Sequence, residues 1–240
     1  MLTANDRQPV RIFTNELVGS TNVLAARLKE KGESLPFAVL ADGQTKGKGR
    51  YGRSFFSPAG SGFYFTYATH MRPLPPGQIT CLAAVASAEA VFSIYDIELE
   101  IKWINDLMFD KKKTGGILTE KIGDDLLLIG IGINIWTTGF PDDLKDKATS
   151  LFSSEPKDDR RVELATTLSE KLETALDAPI ENAMQQYRER LIKDEVSIMG
   201  GDLDQQKAWI VDVLDDGRLE VRLSDDTVKT LADGEVQLQL

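Results

Sequence analysis

Residues 115–135 read GGILTEKIGDDLLLIGIGINI. Two apolar runs, Gly115 to Ile122 and Leu126 to Ile135, are joined only by Gly123-Asp124-Asp125, which predicts a pair of antiparallel strands. Upstream, Leu99 to Trp103 reads as a strand whose end presents Asn105 and Asp106, and Leu107 to Phe109 continues it toward a turn at Asp110-Lys111-Lys112. Gln78 to Tyr95 is alanine-rich, with Leu82, Val85 and Val91 near helical spacing. Phe37 to Leu40 and Phe63 to Thr69 are strands on either side of a glycine-rich loop. Ser20-Thr21-Asn22 reads as the N-cap of a helix that carries Leu24 and Leu28 at i and i+4 and stops at Gly32. The order helix, strand, strand, helix and three strands predicts an α+β fold. Its central sheet is mixed and largely antiparallel, flanked by helices, and not a doubly wound parallel one.

Downstream, Val162 to Leu176 and Ile180 to Ile192 read as two helices split by Pro179. Beyond Asp194 the pattern becomes short strands: Ala208 to Leu214, a turn at Asp215-Asp216-Gly217, Arg218 to Leu223, then Val228 to Leu231 and Val236 to Leu240. That spacing predicts a small C-terminal SH3-like β-barrel. The expected domains are 1–190 and 191–240.

At 240 residues, 42% apolar and 28% charged, the composition is that of an ordinary soluble chain. No run approaches the roughly 18 uncharged apolar residues of a membrane span, and the N-terminus has no apolar signal core. A cytoplasmic protein is expected. The lone cysteine, Cys81, lies in an apolar run and reads as a buried thiol; with one histidine, His70, a zinc site or a histidine-based triad has too few ligands. The net charge of −10 argues against a nucleic-acid partner. It is unevenly spread: twelve acids face four bases from Asp194 to Leu240, whereas four bases face one acid between Asp42 and Arg53.

That basic stretch lies within ADGQTKGKGRYGRSFFSP, residues 41–58, where Lys46, Lys48, Arg50 and Arg53 are interleaved with Gly47, Gly49 and Gly52. Glycines expose backbone N–H groups and guanidinium forks suit carboxylate and phosphate oxygens, so the loop can close over a small anion; a solvated hairpin has the same composition. It matches neither the Walker loop nor the dinucleotide-binding glycine pattern.

Ser20-Thr21-Asn22, GKGRYGR at 47–53, KWIND at 102–106, KKTGGILTE at 112–120 and GIGIN at 130–134 occur in an order that resembles the biotin protein ligases. The resemblance covers roughly residues 12–152, and the C-terminal segment more loosely. It implies an enzyme that converts biotin and ATP to biotinyl-5′-AMP and passes biotin to a lysine of a carrier-protein domain, with Mg²⁺ as the accompanying ion. Some members carry an N-terminal DNA-binding module; residues 1–10 are too short for one, so a ligase without it, and without a DNA or membrane partner, is expected. Whether the chain pairs into a homodimer through a sheet edge stays open.

By the same resemblance Arg50 and Lys113 are the catalytic candidates, Arg50 retaining the adenylate and Lys113 bridging carboxylate and α-phosphate oxygens. Gln44 with Ser20, Thr21 and Asn22 would bind the ureido end of biotin. Gly47, Lys48, Arg50, Trp103, Gly115 and Gly116 complete the biotin set. Lys48, Arg53, Phe55, Lys102, Asn105 and Asn134 would serve the nucleotide together with Arg50 and Lys113. Asp106 would orient the acceptor lysine or help hold Mg²⁺. Each has a plainer reading: helix cap, charged hairpin tip, strand bulge, turn residue or core tryptophan. Three positions depart from the family pattern: Lys48 stands where arginine is usual, Ile104 where proline is, and Phe55 where tryptophan is. Lipoate or octanoate transfer, on the same fold, and a nucleotide-binding module without catalysis are the alternatives.

Overall fold

The computed structural model of the protein describes residues 9–232 and 237–239. β1 (Arg11–Val18) leads into α1 (Thr21–Glu30), which crosses back to β2 (Phe37–Gln44). After the basic loop come β3 (Gly62–His70), α2 (Pro76–Tyr95), β4 (Glu100–Lys102), β5 (Asp106–Phe109), β6 (Lys112–Ile122) and β7 (Leu126–Asn134). These seven strands form one sheet in the order β1-β2-β3-β7-β6-β5-β4. The β1–β2 pair is parallel and every other neighbouring pair is antiparallel, so the sheet is mixed as expected.

Two expectations need correction. β1 was not foreseen as a strand: RIFTNELV is an edge strand with scattered polar residues and no clean alternation of burial, and it gains its place only by pairing with β2. The segment 99–109 is not one strand. The chain reverses at residues 103–105, and β4 and β5 form a hairpin in which Lys102 faces Asp106. The Trp103–Ile104 peptide is cis.

The two-residue period of the strands divides the core. Phe37 and Val39 of β2, Ala68 of β3 and Leu126 and Leu128 of β7 pack with Ala25 of α1 on one face. The intervening residues Ala38, Leu40, Phe63, Phe65, Leu127, Ile129, Ile131 and Ile133 join α2 in the main cluster on the other. Along β7 the α1 face therefore reads Leu126, Leu128, Gly130, Gly132, Asn134. Large apolar side chains give way to glycines, which leaves the sheet bare just where α1 begins.

By length and composition α2 could cross a membrane, but it is interrupted by Glu89 and other polar residues, and 78% of its apolar window is buried inside the protein. Its burial beneath α3 (Arg161–Asp177) and α4 (Ile180–Arg190) marks it as the central core helix. Cys81 on α2 is fully buried, and burial pushes its thiol pKa up.

The C-terminal segment contains β8 (Glu195–Met199), β9 (Lys207–Val213), β10 (Leu219–Leu223), β11 (Val228–Leu231) and β12 (Gln237–Gln239), in one antiparallel sheet ordered β11-β10-β9-β8-β12. β8 was not anticipated, and Val236 and Leu240 of the last expected strand lie outside the described residues. Val196, Ile198, Ile210, Val213 and Leu219 of this sheet belong to the same apolar cluster as α2 and the large sheet.

Candidate active site

At the end of β2, Gln44 turns its amide toward the first residues of α1. Its Oε1 accepts from the Thr21 backbone N–H at 2.9 Å and the Thr21 hydroxyl at 3.2 Å, and its Nε2 donates to Ser57 Oγ at 3.1 Å. Ser20 occupies the N-cap position in extended conformation, but its hydroxyl makes no capping bond. The orphan N–H of Thr21 is met instead by Gln44, from 23 residues away. Asn22 is held just as firmly: Nδ2 donates to Glu120 Oε2 at 2.6 Å, and Oδ1 accepts from Thr66 Oγ1 at 2.5 Å. All three residues are buried, so they are more than a helix start.

The glycines explain how these groups fit. A Cβ on Gly47 would lie 2.6 Å from Ser57 Oγ and 2.7 Å from Phe55 O, a spacing no side chain tolerates. Gly130 lies directly under the Asn22 amide, and a Cβ on Gly132 would sit 2.5 Å from the Phe55 ring. Gly132 pairs in register with Gly116 of β6, whose own open side faces the Lys113 side chain. Gly115 serves a different purpose: its Cβ would strike Gly132 O at 2.6 Å, so it permits close approach of β6 to β7.

The basic loop folds on itself. Gly49 N donates to Arg53 O, Phe55 N donates to Gly47 O, and Tyr51 and Gly52 take positive φ at the tip. Arg50 then reaches across to the turn after β4, where Nη1 donates to Asn105 Oδ1 at 3.0 Å; Nη2 donates to the Tyr51 hydroxyl at 2.8 Å, with the guanidinium 4.8 Å from the Tyr51 ring centre. Asn105 is itself fixed to β6, its Nδ2 donating to Ile117 O and its carbonyl accepting from Ile117 N, both at 2.9 Å. Asp106 pairs with Lys113.

Lys102 stands in the same neighbourhood. Its pKa is lowered chiefly by burial; Asp106 pulls it back up, while Lys113 and Arg53 push it further down. Lys113 and Arg53 are thus both close enough to repel Lys102, with Asp106 offsetting part of that repulsion. An added anion relieves the repulsion among them, which gives this corner a physical preference for carboxylate or phosphate.

Two expected site residues make their hydrogen bonds away from the site. The Trp103 indole N–H donates to Gly217 O at 2.9 Å, joining the turn to the C-terminal sheet. Asn134 is buried, and its Nδ2 donates to Thr149 O at 3.0 Å, bracing the loop that follows β7. Lys48 is exposed on the flank of the loop. It borders an outer cleft of about 570 Å³ together with Val18, Ser20, Val23, Arg27 and Lys46, which does not reach Gln44, Arg50 or Lys113. Sequence reading missed Thr66, Glu120, Gly130 and Gly132. The first two carry no local signal, but the replacement of leucine by glycine at every second residue of LLLIGIGIN was a usable one.

Fold and constellation together define an α+β protein whose polar, cation-lined site lies on one face of a mixed sheet, floored by strand glycines and covered by a basic loop. The model of the Biotin/lipoate A/B protein ligase family matches residues 15–135, and the chain belongs to that family. Among curated relatives, the bifunctional ligase/repressor BirA of Bacillus spizizenii is 38% identical over 150 residues, spanning 58% of this chain and 46% of the relative. The chain therefore covers about half the length of that relative. Among solved structures, the biotin protein ligase of Aquifex aeolicus in complex with biotin and ATP is 28% identical with a TM-score of 0.80, covering 95% of this chain and 98% of that one. The biotin protein ligase of Leishmania major in complex with biotinyl-5-AMP is 25% identical with a TM-score of 0.65, covering 94% and 100%.

Proposed function

We propose that the protein is a biotin protein ligase, an ATP-dependent, AMP-forming enzyme of the biotin–[acetyl-CoA-carboxylase] ligase type. The observation that carries this reading is the single contact path from Thr21 and Gln44, through Gly47 and Phe55, over Gly132 and Gly116 to Lys113 and Asp106, closed by Arg50 on Asn105. A neutral polar end and a cationic end, a few residues apart on one sheet face, suit a molecule with a ureido head and a carboxylate tail.

In the first step a carboxylate oxygen of biotin attacks the α-phosphorus of ATP; the new O–P bond forms as the bridge to the β-phosphate breaks and pyrophosphate leaves. Both reactants are anionic, so Lys102, Lys113, Arg50 and Arg53 act by offsetting their repulsion and the charge that develops. In the second step the amine of a carrier lysine attacks the acyl carbon, AMP leaves, and the amine loses a proton. Asp106 orients that amine. Thr21, Gln44, Ser20 and Asn22 shape the ureido pocket, and Phe55 closes over the nucleotide, moving from its seat on Gly132.

Mg²⁺ would enter with the nucleotide. Glu120 is engaged by Asn22 and Asp106 by Lys113, so the residues named here offer at most one carboxylate to a metal. That fits Mg²⁺, which is held largely by phosphate oxygens and water and supplies further charge neutralisation at the phosphates. We read 1–190 as the catalytic unit and 191–240 as a small SH3-like barrel, a reading supported by its five short antiparallel strands. We place the enzyme in the cytoplasm; self-pairing through the β1 edge of the large sheet is accessible to sedimentation measurements.

Exchange of labelled pyrophosphate into ATP, with Mg²⁺ and with biotin, lipoate or octanoate as the acid, tests the proposal. Biotin-dependent exchange is expected. Exchange with lipoate or octanoate alone would move the substrate within the family, and none with any acid would overturn the enzyme reading.

A further inference from the structure

The turn at residues 103–105 contributes Asn105 to the site and leads directly into Asp106, yet it is held in place from outside the site. Tyr187 of α4 is fully buried and donates its hydroxyl to Ile104 O at 3.2 Å. The Trp103 indole N–H donates to Gly217 O, in the turn between β9 and β10. That second turn is itself anchored. Gln78 Nε2 donates to Asp215 O at 2.6 Å, Arg188 Nε donates to Val213 O at 2.9 Å, and Arg188 pairs with Asp215. Gly217 has φ +86° and sits against Gly77 at the start of α2, where a Cβ would come within 2.9 Å of the Gly77 carbonyl carbon. α2, α4 and the C-terminal sheet thus converge on two backbone grips of a three-residue turn.

On its other side the same turn holds the chemistry. Asn105 accepts from Arg50, and the adjacent Asp106 pairs with Lys113. We propose that Tyr187 and Trp103 are positioning residues: by pinning the 103–105 turn to α4 and to the β9–β10 turn, they set where Asn105 holds Arg50 and where Asp106 holds Lys113. Neither needs to touch a ligand. A forked guanidinium stabilises a developing charge only when correctly placed, and a shift of about 1 Å at such a group can cost about a hundredfold in rate. The activity readout of this inference rests on the proposed adenylate-forming reaction; the loop readout below does not.

Tyr187→Phe keeps the buried ring and removes only the hydroxyl; Trp103→Phe removes the indole N–H. Each is expected to lower kcat of biotin-dependent pyrophosphate exchange about tenfold while leaving KM for biotin within about twofold, the pattern of an interaction realised in the transition state. In an Asn105→Ala background, where the Asn105–Arg50 hydrogen bond is already lost, either change should lower kcat clearly less than it does in the wild type, the remaining effect passing through Asp106 and Lys113. Hydrogen exchange of the peptide spanning Lys48 to Phe55, measured without substrates, should accelerate in both variants. Unchanged loop exchange in both folded variants would overturn the proposal, as would equal falls in kcat with and without Asn105. If Tyr187→Phe does not fold, Trp103→Phe carries the test. If the wild type shows no biotin-dependent exchange, the ligase reading fails, and the loop measurement still decides this inference.

Discussion

Lys102 is placed against its own electrostatic preference. Burial and the neighbouring Lys113 and Arg53 lower its pKa from the ordinary 10.5, so the folded protein releases this proton more readily than the unfolded chain does. Between the lowered value and 10.5 the unfolded state binds more protons, and stability rises with pH; below that window the cost of the buried charge is fully present. Lys102→Met should therefore abolish that rise in urea titrations across the alkaline range. It should also stabilise the protein at neutral pH, where the cost of desolvating the charge is fully present, while pyrophosphate exchange falls. A wild-type stability that declines through the window would contradict the assignment. In the proposed reaction Arg50 would act toward the ligand: Arg50→Gly removes its bonds to Asn105 and Tyr51, and bound biotinyl-5′-AMP should then dissociate faster by at least about tenfold, the loss of one charge-assisted hydrogen bond. Equal off-rates would remove Arg50 from that role.

At the scale of elements, β7 divides its work along its length. Leu126 and Leu128 build the α1-side core, whereas Gly130 and Gly132 make room for Asn22 and the Phe55 ring. Gly130→Ala places a methyl group into the Asn22 amide and disturbs its bonds to Glu120 and Thr66. A loss of about 1–3 kcal/mol in urea unfolding is expected, as for overpacking at a closed site. At Gly132→Ala the nearest neighbour is the far end of the Phe55 ring, which can move aside, so the change should cost less stability than Gly130→Ala and weaken nucleotide binding, measurable by calorimetric titration. The contrast between these two substitutions, two residues apart on one strand, tests the division directly. This division was half legible in advance. The alternation of leucine and glycine is written in the chain, but that glycine accommodates Asn22 depends on α1 lying across β7.

At the scale of the whole molecule, the large sheet, α2 to α4 and the C-terminal sheet share one apolar cluster. Calorimetry should accordingly show one cooperative unfolding transition rather than two; separate transitions would make the C-terminal sheet an independent unit. The net charge of −10 likewise predicts no submicromolar binding of duplex DNA at 150 mM salt.

Local chemistry sufficed to read the hairpin of β6 and β7, the helices, the glycine-cation loop and the order of the motifs, because turn residues, two-residue alternation and φ requirements act within a few positions. Resemblance to a family supplied the roles proposed for Arg50 and Lys113. Only tertiary structure decided that β1 lies parallel to β2, that the chain reverses at 103–105, that Trp103 faces Gly217 and that Asn22 is met by Glu120. The last two contacts join residues 114 and 98 positions apart. Their hydrogen bonds form only after the sheet and helices have been packed, when each buried donor must find whatever acceptor the completed fold has brought beside it.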